Sequence, residues 1–219
     1  MKNHILYSFK RCPYAIRVRW ALLTCGIEVE LREVDLRNKP SDILNKSNSQ
    51  TVPLLILENG GIIEESKDII LWALSNSEKK LKNYFQNDQK KEILNIIKRN
   101  DNEFKFHLDR FKYASRFDKE KTKYHFVESL KIVKEWNNIL LGNSTNWLIG
   151  DNESIADWCI WPFIRQFKIA CDNQKISNYL EPNINSWLKY FENHSKYKKV
   201  MVKYKVWDKK DEKIIFPSN

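Results

Sequence analysis

Apolar positions in the first 75 residues switch repeatedly between a period of two and a period near 3.6. "HILYS", residues 4–8, reads as a short strand. Residues 13–24 read as a helix, with Ile16, Trp20 and Leu23 recurring on one face, and Gly26 stands where a helix commonly ends. "IEVELREV" then sets Ile27, Val29 and Leu31 against Glu28, Glu30 and Arg32, the alternation of a strand with one polar face. A loop with Pro40 and a short helix follow. "VPLLIL" and "GIIE" flank the turn "ENGG" as a hairpin. A helix from Glu65 to Ser75 turns Ile69, Ile70, Ala73 and Leu74 inward. The order is β-α-β-α-β-β-α.

After the polar linker "SNSEKKLKN" the strand signals stop, and from about residue 86 to the end only helical periodicity remains. Ile93, Ile97, Asn100, Phe104, Leu108 and Phe111 form one stripe; Phe126, Leu130, Val133, Trp136 and Leu140 form another. "SIAD", Ser154 to Asp157, has the form of a capping box, in which side chain and backbone at a helix start satisfy each other's hydrogen bonds. Pro162 lies inside that helix and predicts a bend near Trp158. The pattern therefore predicts two domains of unlike class, an α/β domain over 1–77 and an all-helical domain over 86–219.

Composition agrees with a folded protein: hydrophobic residues make up 42% and aromatics 13% of 219 residues, with eight Trp. The longest apolar blocks, "PLLIL" and "IILWAL", are far short of the ~18–20 residues of a membrane helix. "MKNHILYSFKRC" meets charge too early for a secretory leader, so the expectation is a cytoplasmic protein. The net charge of +10 is uneven: residues 1–80 carry 12 Lys/Arg against 10 Asp/Glu, the remainder 26 against 18. A basic half can attract nucleic acid, but these lysines are dispersed between apolar helical positions. The sequence reading takes them as a solvated surface and expects no nucleic-acid partner.

Cys12, Cys25, Cys159 and Cys171 contain no C-x-x-C pair, and the four histidines are scattered without metal-ligand spacing, so no metal is expected. His107 reads as a solvated or core histidine. Cys12 stands apart. It sits where the first strand gives way to a helix opening on Pro13, a residue suited to the first helical position. Unsatisfied amides and the positive helix end stabilise thiolate over thiol there, and Arg11 and Arg17 add positive charge. The alternative is a buried structural cysteine. A dithiol mechanism would need a second thiol at position 15, which is Ala15, and Cys25 lies about 20 Å along the helix. A mixed disulfide on Cys12 must then be released by an external thiol.

"RCPYAIRVRWAL", "LRNKP", "TVPLLILENGG", "EESKDIILWAL" and "LIGDNESIADWCIWPFIRQF" together resemble, in order and spacing, the glutathione transferase superfamily, specifically its cysteine-type, omega-like, bacterial-type members. The resemblance implies a thioredoxin-like N-terminal domain followed by an all-helical C-terminal domain, with glutathione as co-substrate. It implies that Val52, before a cis Pro53, pairs its backbone with the cysteinyl part of glutathione. Glu65 and Ser66 would hold the γ-glutamyl ammonium and carboxylate, and Lys39 the glycyl carboxylate; read locally, Pro53 merely starts a strand, Ser66 merely caps a helix and Lys39 is merely solvated. The second substrate would lie between the domains, with Tyr14, Phe104, Phe111 and Trp161 as candidate contacts or, at such spacing, core residues. A homodimer is implied as well.

Conjugating members usually carry Tyr or Ser where this chain has Cys12. The expected function is accordingly a glutathione-dependent thiol transferase or reductase acting through one cysteine, on glutathionylated thiols, glutathionyl adducts or dehydroascorbate. The alternatives are conjugation of glutathione to electrophiles, or a non-enzymatic binding protein with the transferase fold.

Overall fold

The computed structural model describes residues 3–47, 49–79 and 81–217; Lys80 of the expected linker lies outside them. The chain divides into two compact units, one made of Met1–Leu81 with His194–Asn219, the other of Lys82–Asn193.

In the first unit β1 (Ile5–Ser8) and β2 (Val29–Glu33) run parallel, joined by α1 (Pro13–Cys25). After α2 (Ser41–Lys46), β3 (Leu54–Ile56) and β4 (Ile62–Ile63) form the expected hairpin, and α3 (Ser66–Ser75) follows. β3 pairs antiparallel with β1, Leu6 opposite Leu55. Gly26 ends α1 in the left-handed region at φ 71°, its amide bonding back to the last turn.

Two features of this unit differ from the sequence reading. First, the sheet has a fifth strand, β5 (Ile215–Phe216), pairing antiparallel with β2 to give the order β4-β3-β1-β2-β5. The C-terminal segment is therefore not simply the end of a helical domain running to 219. A two-residue strand is too short for any periodicity to show. Second, β2 carries buried charge on both faces: Glu30, on the expected polar face, is buried and paired with Arg32 (2.7 Å), and Glu33, on the side of Val29 and Leu31, is buried and paired with Arg19. Likewise α1 is buried nearly all round, packing on α3 and on α9 (Ser195–Val200).

The second unit is helical. α4 (Lys90–Arg99) passes through one wide π turn, Asn100–Phe104, into α5 (Lys105–Lys112); then come α6 (Thr122–Gly142), α7 (Ile155–Asn173) and α8 (Pro182–Asn193). The stripe from Ile93 to Phe111 is buried throughout; the π turn lies within it, a break that periodicity alone does not reveal. Ser154 and Asp157 form the capping box at the start of α7, with the Ser154 amide donating to Asp157 at 2.9 Å. No helix among the described residues is long and apolar enough to cross a membrane.

Candidate functional site

Cys12 is the N-cap of α1. Its own amide donates to the Phe9 carbonyl (2.9 Å) and its carbonyl accepts from Ile16 (3.0 Å), so backbone bonds hold the turn from both sides. The side chain takes no part in capping. The thiol instead points across to the neighbouring loop, where Sγ lies 3.6 Å from the Val52 carbonyl oxygen. The Val52–Pro53 peptide is cis. Tyr7, Ile43, Val52, Leu54 and Ile56 pack beneath this point, with Phe9 and Cys12 at the edge of the cluster.

Cys12 is half-buried, whereas Cys25, Cys159 and Cys171 are buried. Burial pushes the Cys25 thiol up to about 11 and that of Cys171 up to about 12. Burial thus disfavours the thiolate at Cys25 and Cys171.

Ser66 opens α3 as its first residue, while Glu65 occupies the N-cap without a capping bond of its own. That corrects the reading of Ser66 as the cap. The Ser66 hydroxyl is buried and accepts from Arg17 Nε (3.1 Å) and Nη2 (2.7 Å). Arg17 is itself buried, and its guanidinium lies 4.8 Å from the centre of the half-buried Tyr14 ring. The exposed Glu65 carboxylate makes no hydrogen bond or ion pair among the described residues. Lys39 reaches from the loop after β2 to donate to the Gln50 carbonyl (2.8 Å), two residues before Val52. One unit thus supplies the thiol, the Val52 backbone, a helix N-terminus with an adjoining carboxylate, and a lysine.

The sequence reading missed the supports. Arg19, buried in α1, donates to Ser8 Oγ (2.9 Å), to the Val200 carbonyl (3.3 Å) and to Glu33, while the other Glu33 oxygen accepts from the Lys10 amide at 2.6 Å. The one available signal was two arginines inside the otherwise apolar "AIRVRWAL", a charge pattern that a buried helix tolerates only with partners.

Phe104, Phe111 and Trp161 require correction as second-substrate contacts. All three are fully buried in the helical unit: Phe104 meets Trp136 edge-on (5.0 Å), Phe111 packs on Phe126 (5.2 Å) and Trp161 stacks on Phe191 (5.6 Å). Aromatic residues at helical spacing serve the core here. His107 is half-buried and pairs with His125 through their Nδ1 atoms, 2.9 Å apart. Among the described residues no group of three or more His, Cys, Asp or Glu side chains is placed to hold a metal ion.

Residues 6–80 match the family "Glutathione S-transferase, N-terminal domain" and residues 102–203 match "Glutathione S-transferase, C-terminal domain". The rat protein "Glutathione S-transferase omega-1" is 24% identical over 189 residues, covering 84% of this chain and 74% of its own. Among solved structures, glutathione transferase Omega 3C from Trametes versicolor superposes with a TM-score of 0.78 at 16% identity, over 94% of this chain and 91% of that one. A glutathione transferase from Pseudomonas putida, solved with one glutathione disulfide bound per subunit, gives 0.74 at 19% identity over 91% of each chain. The fold of these structures is the one built above, a mixed-sheet domain of thioredoxin-like form with a helical domain. With both domain families matched in order along a single chain, this protein belongs to the glutathione transferase superfamily, and it resembles the omega-class members.

Proposed function

We infer that the protein is a glutathione-dependent thiol transferase that works through Cys12 alone. The observation carrying this reading is the position of that thiol: at the N-terminus of α1 and 3.6 Å from the Val52 carbonyl. In the first step the Cys12 thiolate attacks the glutathionyl sulfur of a mixed disulfide. A Cys12–glutathione disulfide forms and the substrate leaves as its thiolate, which takes up a proton. In the second step the thiolate of free glutathione attacks the same glutathionyl sulfur, releasing glutathione disulfide and restoring the Cys12 thiolate. Two glutathione molecules meet at one sulfur, and no second protein thiol is required, since position 15 is Ala15.

Each residue around the thiol has a physical task in this reading. The Val52 backbone, which accepts from the thiol in the structure, pairs with the extended cysteinyl portion of glutathione as an added strand. The α3 N-terminus at Ser66 receives the γ-glutamyl carboxylate, and the carboxylate of Glu65 receives the ammonium. Lys39 reaches the glycyl carboxylate after leaving the Gln50 carbonyl. Tyr14, on the first turn of α1, is retained as a second-substrate contact. The protein works as a homodimer in the cytoplasm, where glutathione is abundant.

Intact mass after incubation with glutathione disulfide tests the reading. Wild type is expected to gain one glutathionyl group and to lose it on addition of glutathione; Cys12→Ser is expected to gain none. A wild type that stays unmodified, yet conjugates an aryl halide as fast as Cys12→Ser does, would overturn it.

A further inference from the structure

The basic excess of the helical unit is not evenly solvated. Residues 105–123 contain seven Lys/Arg against three Asp/Glu. Two of those carboxylates are engaged within the segment, Asp109 by Lys105 and Asp118 by Lys121. Arg110, Lys112, Arg116, Lys119 and Lys123 form no ion pair with a carboxylate among the described residues. Sequence alone reads such lysines as an ordinary wet surface.

The tertiary structure adds rings to them. Phe106, Phe117 and Tyr124 are 45%, 43% and 54% exposed, three of the four large aromatic side chains left exposed among the described residues. The Arg110 guanidinium lies 3.5 Å from the centre of the Phe106 ring and 4.8 Å from that of Phe117. Tyr113 carries Lys112 and Arg116, each at 4.8 Å. The His107–His125 pair joins the first turn of α5 to the first turn of α6, with Phe106 edge-on to both histidines and Tyr124 packed against both. Phe106, Arg110, Phe117, His107, His125 and Tyr124 are thereby linked by contacts across the α5–α6 connection, whose chain also carries Lys112, Arg116, Lys119 and Lys123.

A solvated lysine face has no use for exposed phenyl rings, since each leaves apolar area in water. A nucleic-acid duplex offers phosphates but hides its bases, so the rings would meet nothing. A single strand offers both: bases to stack against the exposed parts of the rings and phosphates for the unpaired cations. We propose that the α5–α6 turn, with Phe106, Arg110, Phe117, Lys119, Lys123 and Tyr124 at its centre, is a docking surface for single-stranded RNA, the commonest unpaired nucleic acid of a cell.

Fluorescence anisotropy of the full chain with a labelled oligouridine over a salt series tests this, with heparin as a polyanion that has no bases. Wild type binds the RNA with a log-log salt slope no steeper than about −3.5, five cations at about 0.7 each. Phe117→Ala and Tyr124→Ala each weaken RNA binding by about 5- to 150-fold and leave heparin binding unchanged. Lys119→Gln and Lys123→Gln weaken both ligands and flatten the slope by about 0.7 each. Four results would overturn the proposal: no RNA binding at low salt, equal loss of heparin binding in the aromatic variants, equal affinity for duplex RNA, or variants that change only the oligomeric mass seen by light scattering. All four substitutions fall on exposed side chains outside the thiol site, so turnover at Cys12 serves as the check on folding.

Discussion

Glu33 joins Arg19 to the loop that carries Cys12: one carboxylate oxygen takes the Arg19 guanidinium, and the other takes the Lys10 amide, two residues before the thiol. Both side chains are buried, and Arg19 also bonds to the carbonyls of Val200 and Val202 in the C-terminal segment. Removing one partner of such a pair strands the other charge. Glu33→Gln should therefore destabilise the protein by about 3–5 kcal/mol in urea unfolding, and it should slow alkylation of Cys12 because the Lys10 turn loses its anchor. Unchanged stability would mean that the pair is dispensable.

Thiol reactivity should separate one cysteine from the other three. With Cys25 pushed up to about 11 and Cys171 to about 12 by burial, and Cys159 wholly enclosed, native protein at neutral pH should take up one equivalent of iodoacetamide. The Cys12→Ser variant should take up none, and denatured wild type four. Peptide mapping that finds the first label anywhere but Cys12 contradicts the site.

Glu65 and Ser66 should differ in kind although they are neighbours. Glu65 is exposed and makes no capping bond, so Glu65→Ala should leave the melting temperature nearly unchanged while lowering glutathione affinity by about 10- to 150-fold, the loss of one charge-assisted bond. Ser66→Ala should lower both, because the buried Arg17 loses an acceptor. Calorimetry and thermal melts on the two variants decide; equal affinity in Glu65→Ala and wild type removes Glu65 from the glutathione site.

Asp157 gives the helical unit a pH signature. Burial pushes its carboxyl up to about 6, against hydrogen bonds from the amides of Leu148 and Ser154, the Trp187 indole and the Ser154 hydroxyl. Between about pH 4 and 6 the native state then keeps a proton that the unfolded chain has released. The stability this contributes is full below the unfolded value and is lost as pH rises through 6, a swing of about 3 kcal/mol. Asp157→Asn should flatten that part of the stability profile. It should also be less stable at neutral pH, since an amide oxygen cannot serve donors that now share two carboxylate oxygens. A profile identical to wild type would show that Asp157 does not titrate there.

What the sequence determined by itself was local. Strand and helix periods, the glycine ending α1, the hairpin around "ENGG" and the capping box at Ser154 are set by neighbours a few residues apart, and these elements stand where the pattern put them. Cys12 was legible for the same reason: a thiol between a strand and a proline-led helix faces that helix's own amides whatever else the chain does. Tertiary structure decided everything that needed a partner from afar. Ser66 became an acceptor for Arg17 across 49 positions, and Val52 met Cys12 across 40. Glu30 could be read as part of a polar strand face, but that β5, nearly two hundred residues on, would pair along its strand could not. Phe104, Phe111 and Trp161 had the spacing of pocket walls and of core alike, and only packing could choose the core. Periodicity reports which side of an element is apolar; what that side touches depends on contacts between distant segments, and those exist only once the chain has folded.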